Sequence, residues 1–408
     1  MPNPFTYEPK TGEKQNILKS LRDLESFCRE KSFSGYDPYD GLNANLLNNR
    51  NKYLRLLLSQ ILVYNPINLR PIINVKKGIN PKGLSLAIIA YCRLIQSGIF
   101  NYSFFKSNLE KMSNFLLSIR SPNFSQYCWG YNFPWQSSNR YLNKNEPTIV
   151  SSSYVGGAFI QLYDITKDKK YLRIAKSVCD FIIDDLNIMK ADKKICFSYT
   201  CKDEYFVHNA NLLGASLLSK VYTRTGEKRY KDYSLSAFDF TISEQSKSGL
   251  WYYSFNPNGK HRLQIDWHQG FILESLSDMI KELQPESEIY SASLRRGLSF
   301  YKNEQFTSDY EALWRWPRKW PIDIHNQAQG IITFSKLSSF NKDNLDFALK
   351  ICIRTINTMQ DKKGFFYYQK WPFYKNKISY MRWGQTWMLL ALSELIYNLI
   401  SSRSLKLN

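Results

Sequence analysis

The sequence predicts an all-α protein: an (α/α)6 toroid of six helical hairpins, with short aromatic, strand-like loops between them. Three observations predict it. From about residue 80 the chain repeats in units of roughly 50–60 residues, a period typical of stacked supersecondary units. Each unit runs from an aromatic stretch through a polar turn into a helix with apolar residues three and four apart, then into a second helix. The first helices also carry glycine in their opening turns: Gly83, Gly156 with Gly157, Gly214, Gly270, Gly330 and Gly384. Glycine inside a helix costs about 1 kcal/mol against alanine, so the recurrence needs a cause, and close packing of helix ends around a crowded axis supplies one.

Taken in order, the N-terminal region reads as helices near 15–30 and 43–63. The aromatic stretches are "CWGYNFPW" (128–135), "ICFSYT" (195–200), "LWYYSF" (250–255), "LWRWP" (313–317) and "GFFYYQKW" (364–371). First helices open near Ser151, His208, Asp266, His325 and Arg382, with an earlier relative at Lys82. Their partners are expected at 101–119, 168–187, 228–243, 287–304 and 342–359. In the helix opened by Asp266 the apolar stripe is Ile272, Leu276, Met279 and Leu283. Asp266 and Ser151 to Ser153 have N-cap chemistry. The last first helix, about 382–401, has no partner after it, so a helix from residues 1–65 must close the ring. The whole chain, 1–408, is then one toroid domain; an open superhelix of hairpins is the alternative.

Lys plus Arg outnumber Asp plus Glu by 55 to 35, a formal charge of +20, which favours an acidic partner. The basic residues are scattered and no zinc-finger or RNA-binding pattern occurs, so nucleic acid is disfavoured and an acidic oligo- or polysaccharide is preferred. The N-terminus "MPNPFTYEPK" lacks a signal-peptide pattern, and no run reaches the ~18 apolar residues of a membrane span. The seven cysteines are odd in number with no CxxC pair and read as reduced thiols of a cytoplasmic protein. No phosphate loop, HExxH or GxSxG motif is present, and neither a cofactor nor a metal is expected.

In such a ring the opening turns of the first helices face one mouth of the central cavity. Three of the four histidines, His208, His268 and His325, occupy those turns. Beside them stand Asn209, Asn211, Asp266, Gln269, Asp323, Gln329, Tyr380, Arg382 and Gln385. A helix N-terminus disfavours imidazolium, so these histidines are suited to general-base work. His268, with Asp266, His208 and His325, is the expected catalytic set. Asp266 and Asp323 also read as plain helix caps. Asp266, Gly270 and Glu274 share one helix face, which directs Glu274 into the cavity below His268. Trp129, Tyr131, Trp135, Trp251, Trp314, Trp316, Tyr367 and Tyr368 precede the first helices, about half of them expected to stack on sugar and the rest to plug the core. Arg382 and Lys377 are expected to pair with substrate carboxylates.

"YDPYDGLN" (36–43), "INPKGLSL" (79–86), "WGYNFPWQ" (129–136), "DWHQGFILESL" (266–276), "HNQAQGI" (325–331) and "YYQKWPFYKNKISYMRWGQTWM" (367–388) resemble a family encoded in bacterial exopolysaccharide and O-antigen gene clusters. The resemblance runs over roughly residues 33 to 400. It implies a six-hairpin toroid that makes or modifies a surface glycan beside other polysaccharide-biosynthesis proteins, and it assigns no reaction. More distantly, "RWGQTWMLLAL" (382–392) is similar to the Arg-Gly-Gln-x-Trp helix start of unsaturated glucuronyl hydrolases, with Trp383 where their arginine would be. The length and layout are similar to those of sugar 2-epimerases, without a clear counterpart of their paired histidines. The expected activity is therefore that of a glycan lyase, hydrolase or epimerase. A non-catalytic glycan-binding toroid and a prenyl-chain cyclase-like toroid are the alternatives.

Overall fold

The computed structural model describes residues 12–44, 51–137, 140–256 and 261–404. Thirteen α-helices occur among them. The first two are α1 (Gly12–Glu30) and α2 (Lys52–Tyr64). Five hairpins follow: α3 (Pro81–Gln96) with α4 (Tyr102–Ser118), α5 (Ile149–Thr166) with α6 (Lys169–Asp184), α7 (His208–Thr225) with α8 (Lys228–Ser243), α9 (His268–Leu283) with α10 (Ile289–Glu304), and α11 (Ile324–Lys336) with α12 (Asp343–Met359). The last helix is α13 (Thr386–Ser404). Residues 45–50, part of the helix expected at 43–63, lie outside the described residues, as do residues 1–11.

Local chemistry explains where the helices start. Asn80 accepts from the backbone of Lys82 and Gly83, with Pro81 in the first turn of α3. Asn101, Asp168 and Asp323 cap α4, α6 and α11 in the same way. For α5 the cap is Thr148, which accepts from the Ser151 N–H, so the serines expected to cap this helix lie inside its first turns. Gly226 ends α7 in the left-handed region that favours glycine, at φ +75°.

Packing then closes the ring. Each of α3, α5, α7, α9 and α11 packs on the next, and α13 packs on both α11 and α3. These inner helices are buried nearly all round, which is why α5 and α13 have no polar face. The helices α4, α6, α8, α10 and α12 back them from outside, and α1 lies against α13 and α12 through Ile17, Leu18, Leu21 and Leu24. Most inner-helix glycines sit where neighbouring inner helices touch: a Cβ at Gly214 would meet Ile149 at 2.7 Å, and one at Gly270 would meet Gln329 at 2.8 Å. Gly330 departs from this pattern and faces Phe306, on the outer side.

The aromatic stretches form short antiparallel ladders at one end of the ring. These are β1 (Trp135–Gln136) with β2 (Tyr141–Leu142), β3 (Ile188–Ala191) with β4 (Lys194–Phe197), and β5 (Phe206–Val207) with β6 (Ser254–Phe255). The last sheet joins β7 (Ile322–Asp323), β8 (Gln369–Lys370) and β9 (Lys375–Asn376). The β5–β6 and β7–β8 pairs tie the residues just before one inner helix to the aromatic stretch of the next unit.

A second tie recurs in five units: a polar side chain in the opening turn of the inner helix clasps the backbone of the preceding aromatic stretch. The Gln269 amide accepts from the Trp251 N–H at 3.0 Å and donates to its C=O at 2.7 Å. Gln385 does the same to Phe366, at 2.8 Å for both bonds. Ser152 engages Trp129, Asn211 accepts from Phe197, and Gln327 accepts from Ala312. Buried main-chain groups off a ladder need such partners.

Candidate active site

At this loop-bearing end a cavity of about 170 Å³ opens. Its aromatic walls are Tyr39, Tyr131, Phe133, Trp135, Tyr199, Tyr253, Trp267, Phe271 and Trp383, and its polar groups are Lys82, Asn209, Arg262, Gln264, His268, Arg315, His325 and Arg382. No Asp or Glu is among the residues lining it.

His268 opens α9, and Asp266 fixes its ring. Asp266, wholly buried, lies 2.5 Å from Nδ1 of His268 and accepts the His268 backbone N–H at 3.1 Å. Gln264 donates to the other Asp266 oxygen at 2.7 Å. A carboxylate at Nδ1 holds the proton there and leaves the lone pair on Nε2, which makes no hydrogen bond to the described residues. The ring sits among Tyr253, Trp267 and Phe271, with 14% of its side-chain surface still open.

His325 stacks on Trp267 at 5.2 Å and meets Trp383 and Trp387 at 4.6 and 4.7 Å. Neither ring nitrogen has a hydrogen-bond partner among the described residues, and burial, with Lys82 nearby, holds its pKa well below the usual histidine value. Its surroundings favour the neutral imidazole. Asp323, expected as a cap, is one: it accepts from the His325 N–H and from the indole of Trp383, each at 2.9 Å. Burial raises its pKa to about 6.

The floor is aromatic. Phe271 stacks on Trp387 at 5.4 Å, Tyr154 meets Trp387 edge-on at 5.5 Å, and Lys82 lies over all three rings at 4.4 to 5.4 Å. Lys82 is buried and has no ion pair among the described residues. Burial, then the Arg382 charge, push its pKa well below the usual lysine value, while the surrounding π faces favour the ammonium. Arg315 also lacks a carboxylate partner, and its Nε is buried without a hydrogen bond. Both are positive groups of the cavity without an ion pair among the described residues, as is the exposed Arg262.

The structure distributes the expected site residues unevenly. His268, His325 and Arg382 line this one cavity, with Asp266 behind His268. Arg382, on a π-helical turn (Met381–Gln385) leading into α13, gives its fork to Asp37 at 2.5 and 2.7 Å. That pairing occupies the face that was to hold a substrate carboxylate. His208 lies apart from the cavity, stacked on Phe240 of α8 at 5.9 Å, and burial lowers its pKa to about 3. Asn211 and Gln385 are clasps, and Tyr380 accepts from Arg70 at 2.7 Å. Trp129 and Trp251 are core plugs whose indoles donate to Leu116 and Thr241 carbonyls, and Trp316 packs on Phe300. Gln329 bonds Glu274 and Thr333 between α9 and α11.

Glu274 belongs to a different cavity, about 110 Å³, beyond the Phe271–Trp387 floor. There every charge is matched. Lys336 lies 3.5 Å from Glu274 and 3.2 Å from Asp278, Lys220 is 2.6 Å from Asp278, and Arg93 is 2.8 Å from Glu394. Burial raises the Glu274 pKa to about 7.

The sequence reading missed Lys82, Arg262, Trp267 and Trp383 as cavity residues. Lys82 had a signal: it is the one charged residue in the apolar opening of α3, at the position where other units place site groups. Trp267 and Trp383 had none, because an aromatic beside a polar turn serves a core equally well.

Neither a protein-family model nor a curated protein sequence matches the chain. Among solved structures it is similar to cellobiose 2-epimerase from Bacillus thermoamylovorans, at 11% identity and TM-score 0.67, over 95% of this chain and 100% of that one. It is also similar to a glycoside hydrolase family 76 mannosidase from Bacteroides thetaiotaomicron, at 13% identity and TM-score 0.61, over 97% and 100% of the two chains. A third is a possible member of the GH105 family from Salmonella enterica serovar Paratyphi A, at 11% identity and TM-score 0.61, over 98% and 100%. Likeness of backbone at such low identity carries architecture and not chemistry, and with the closed ring of inner helices it shows this chain to be an (α/α)6 toroid.

Proposed function

We propose that the protein is an enzyme of surface-polysaccharide biosynthesis or modification that moves a proton at a carbon of an acidic saccharide. One observation carries the reading: an Asp266-held His268 opens into an aromatic cavity with uncompensated cations and no lining carboxylate. Nε2 of His268 removes a proton from the carbon next to a carbonyl or carboxylate. The C–H electrons pass into an enolate, whose oxygen charge Lys82 and Arg315 balance. Return of the proton to the other face gives epimerisation. Expulsion of a β-oxygen substituent as the electrons return gives elimination. Neutral His325 relays a proton in this reading, accepting at one ring nitrogen as it donates from the other, so that its ring ends neutral. Hydrolysis by paired carboxylates is supported by the likeness to a family 76 mannosidase and a possible GH105 member, but it needs two acids facing the scissile bond, and none is among the residues lining this cavity. The surface-glycan setting rests on the resemblance of residues 33–400, and the epimerase-like arm is supported by the likeness to a cellobiose 2-epimerase.

The test is to incubate the protein with uronate-containing and neutral oligosaccharides in deuterated water and follow carbon-bound deuterium by NMR and unsaturated product by ultraviolet absorbance. Exchange or elimination with acidic sugars, lost in His268→Ala, supports the reading. Cleavage without exchange overturns it in favour of hydrolysis. Saturable binding without turnover overturns it in favour of a silent glycan binder.

A further inference from the structure

Away from the cavity, α2 is buried on one narrow side only, at Leu62 and Val63, and Leu62 packs with Leu42, Ala44 and Val75. Its outward side is apolar. Tyr53, Leu54, Leu57, Ile61 and Tyr64 recur at helical spacing and all are exposed, Tyr53 at 77% and Leu57 at 58%. The turn after it adds Ile67 and Ile72, exposed at 67% and 78%. Asn376 donates to the Asn65 carbonyl at 3.3 Å and so brings in the β8–β9 hairpin, whose tip holds Phe373 at 99% exposure beside Tyr374. Scattered exposed hydrophobics need no account, but a helix face continuous with a bare phenylalanine does.

The segments that form this face carry charges of one sign, with Asp361 beside Lys377 at its edge. Residues 51–80 and 364–383 contain no Asp or Glu. Lys52, Lys76, Lys77, Lys375 and Lys377 are exposed there, and Lys77 and Lys377 flank one shallow hollow. Such uniform charge repels a second copy of the same face, while anionic headgroups over an apolar interior match it in both respects. No helix among the described residues is long and apolar enough to cross a membrane, so contact through this face is lateral.

We propose that α2, the turn at 65–73 and the β8–β9 hairpin form a docking face for an anionic lipid bilayer. Leu57, Ile61 and Phe373 enter the headgroup–acyl boundary, and the lysines meet the headgroups. The face adjoins the cavity: Arg55 of α2 donates to Gln136 at 3.0 Å, next to the cavity wall residue Trp135. Docking therefore sets the loops around the cavity beside the lipid surface.

Flotation of the full chain with phosphatidylcholine vesicles, with and without phosphatidylglycerol, tests this. Wild type is expected to float with the anionic vesicles only, less so as salt rises. Phe373→Ser, at a position without packing partners to lose, lowers the partition coefficient about tenfold or more with an unchanged melting temperature. Leu57→Gln with Ile61→Gln does at least as much, and Lys76→Gln with Lys77→Gln costs about fivefold per lysine at low salt. No flotation of wild type, or equal flotation of wild type and the apolar variants, overturns the proposal. Self-association abolished by Phe373→Ser without vesicle binding also overturns it and assigns the face to a second copy.

Discussion

Lys82 sits on three aromatic rings with no ion pair among the described residues, so burial penalises its charged form and an anionic ligand would favour it. Lys82→Met is expected to stabilise the fold by about 1–3 kcal/mol in denaturant titration, since a buried polar group without an ion pair becomes an apolar side chain. The same change is expected to raise KM for acidic saccharides. His268→Ala should do the reverse, costing about 10²–10⁴ in kcat with little change in stability. Glu274 supplies a pH test. Its carboxyl is raised from 4.5 to about 7 in the folded state, so the stability tied to its protonated form is present below pH 4.5 and lost as pH rises through 7. Relative to Glu274→Gln, wild type should lose on the order of 2 kcal/mol across that window, less than full burial implies because 15% of the side chain stays open. A constant difference in thermal stability at all pH values would refute this. At this scale the sequence exposed the histidines and acids, whose chemistry is written in their names. It could not say which neighbours they would meet: Arg382 was legible as a cation, but its Asp37 partner lies at the far end of the chain.

At the scale of elements, the clasps decide how the loops sit. Gln269→Ala would leave both the N–H and C=O of buried Trp251 unpaired, an expected loss of about 2–4 kcal/mol, measurable by chemical denaturation. Gln269→Glu should recover only part of it, because a carboxylate accepts but does not donate. The helices were legible because apolar spacing and recurring glycine report burial directly. The partner helix expected at 228–243 is found as Lys228–Ser243, and the one expected at 342–359 as Asp343–Met359. Asn211 and Gln385 read as substrate ligands for the same reason that they make good clasps: a polar side chain in an otherwise buried opening turn must face something polar. Spacing alone does not say whether that is a sugar or a neighbouring main chain.

At the scale of the whole molecule, the ring is joined where α13 meets α3, and α1 backs that join by packing on α13. Removing residues 1–30 should uncover the outer side of α13 and cost the cooperative thermal transition, with dye-binding apolar surface as the readout; a sharp, unchanged melt would show that α1 is dispensable. The same join has a consequence for synthesis. Of the described helices, α1 is made well before its partner α13, roughly 350 residues later, a delay on the order of 20–70 s at ordinary elongation rates. Through that interval Ile17, Leu18, Leu21 and Leu24 have no α13 to cover them. A nascent chain arrested before residue 386 should therefore be a client for chaperones that shelter apolar helices, and it should be released from them once the final helix emerges.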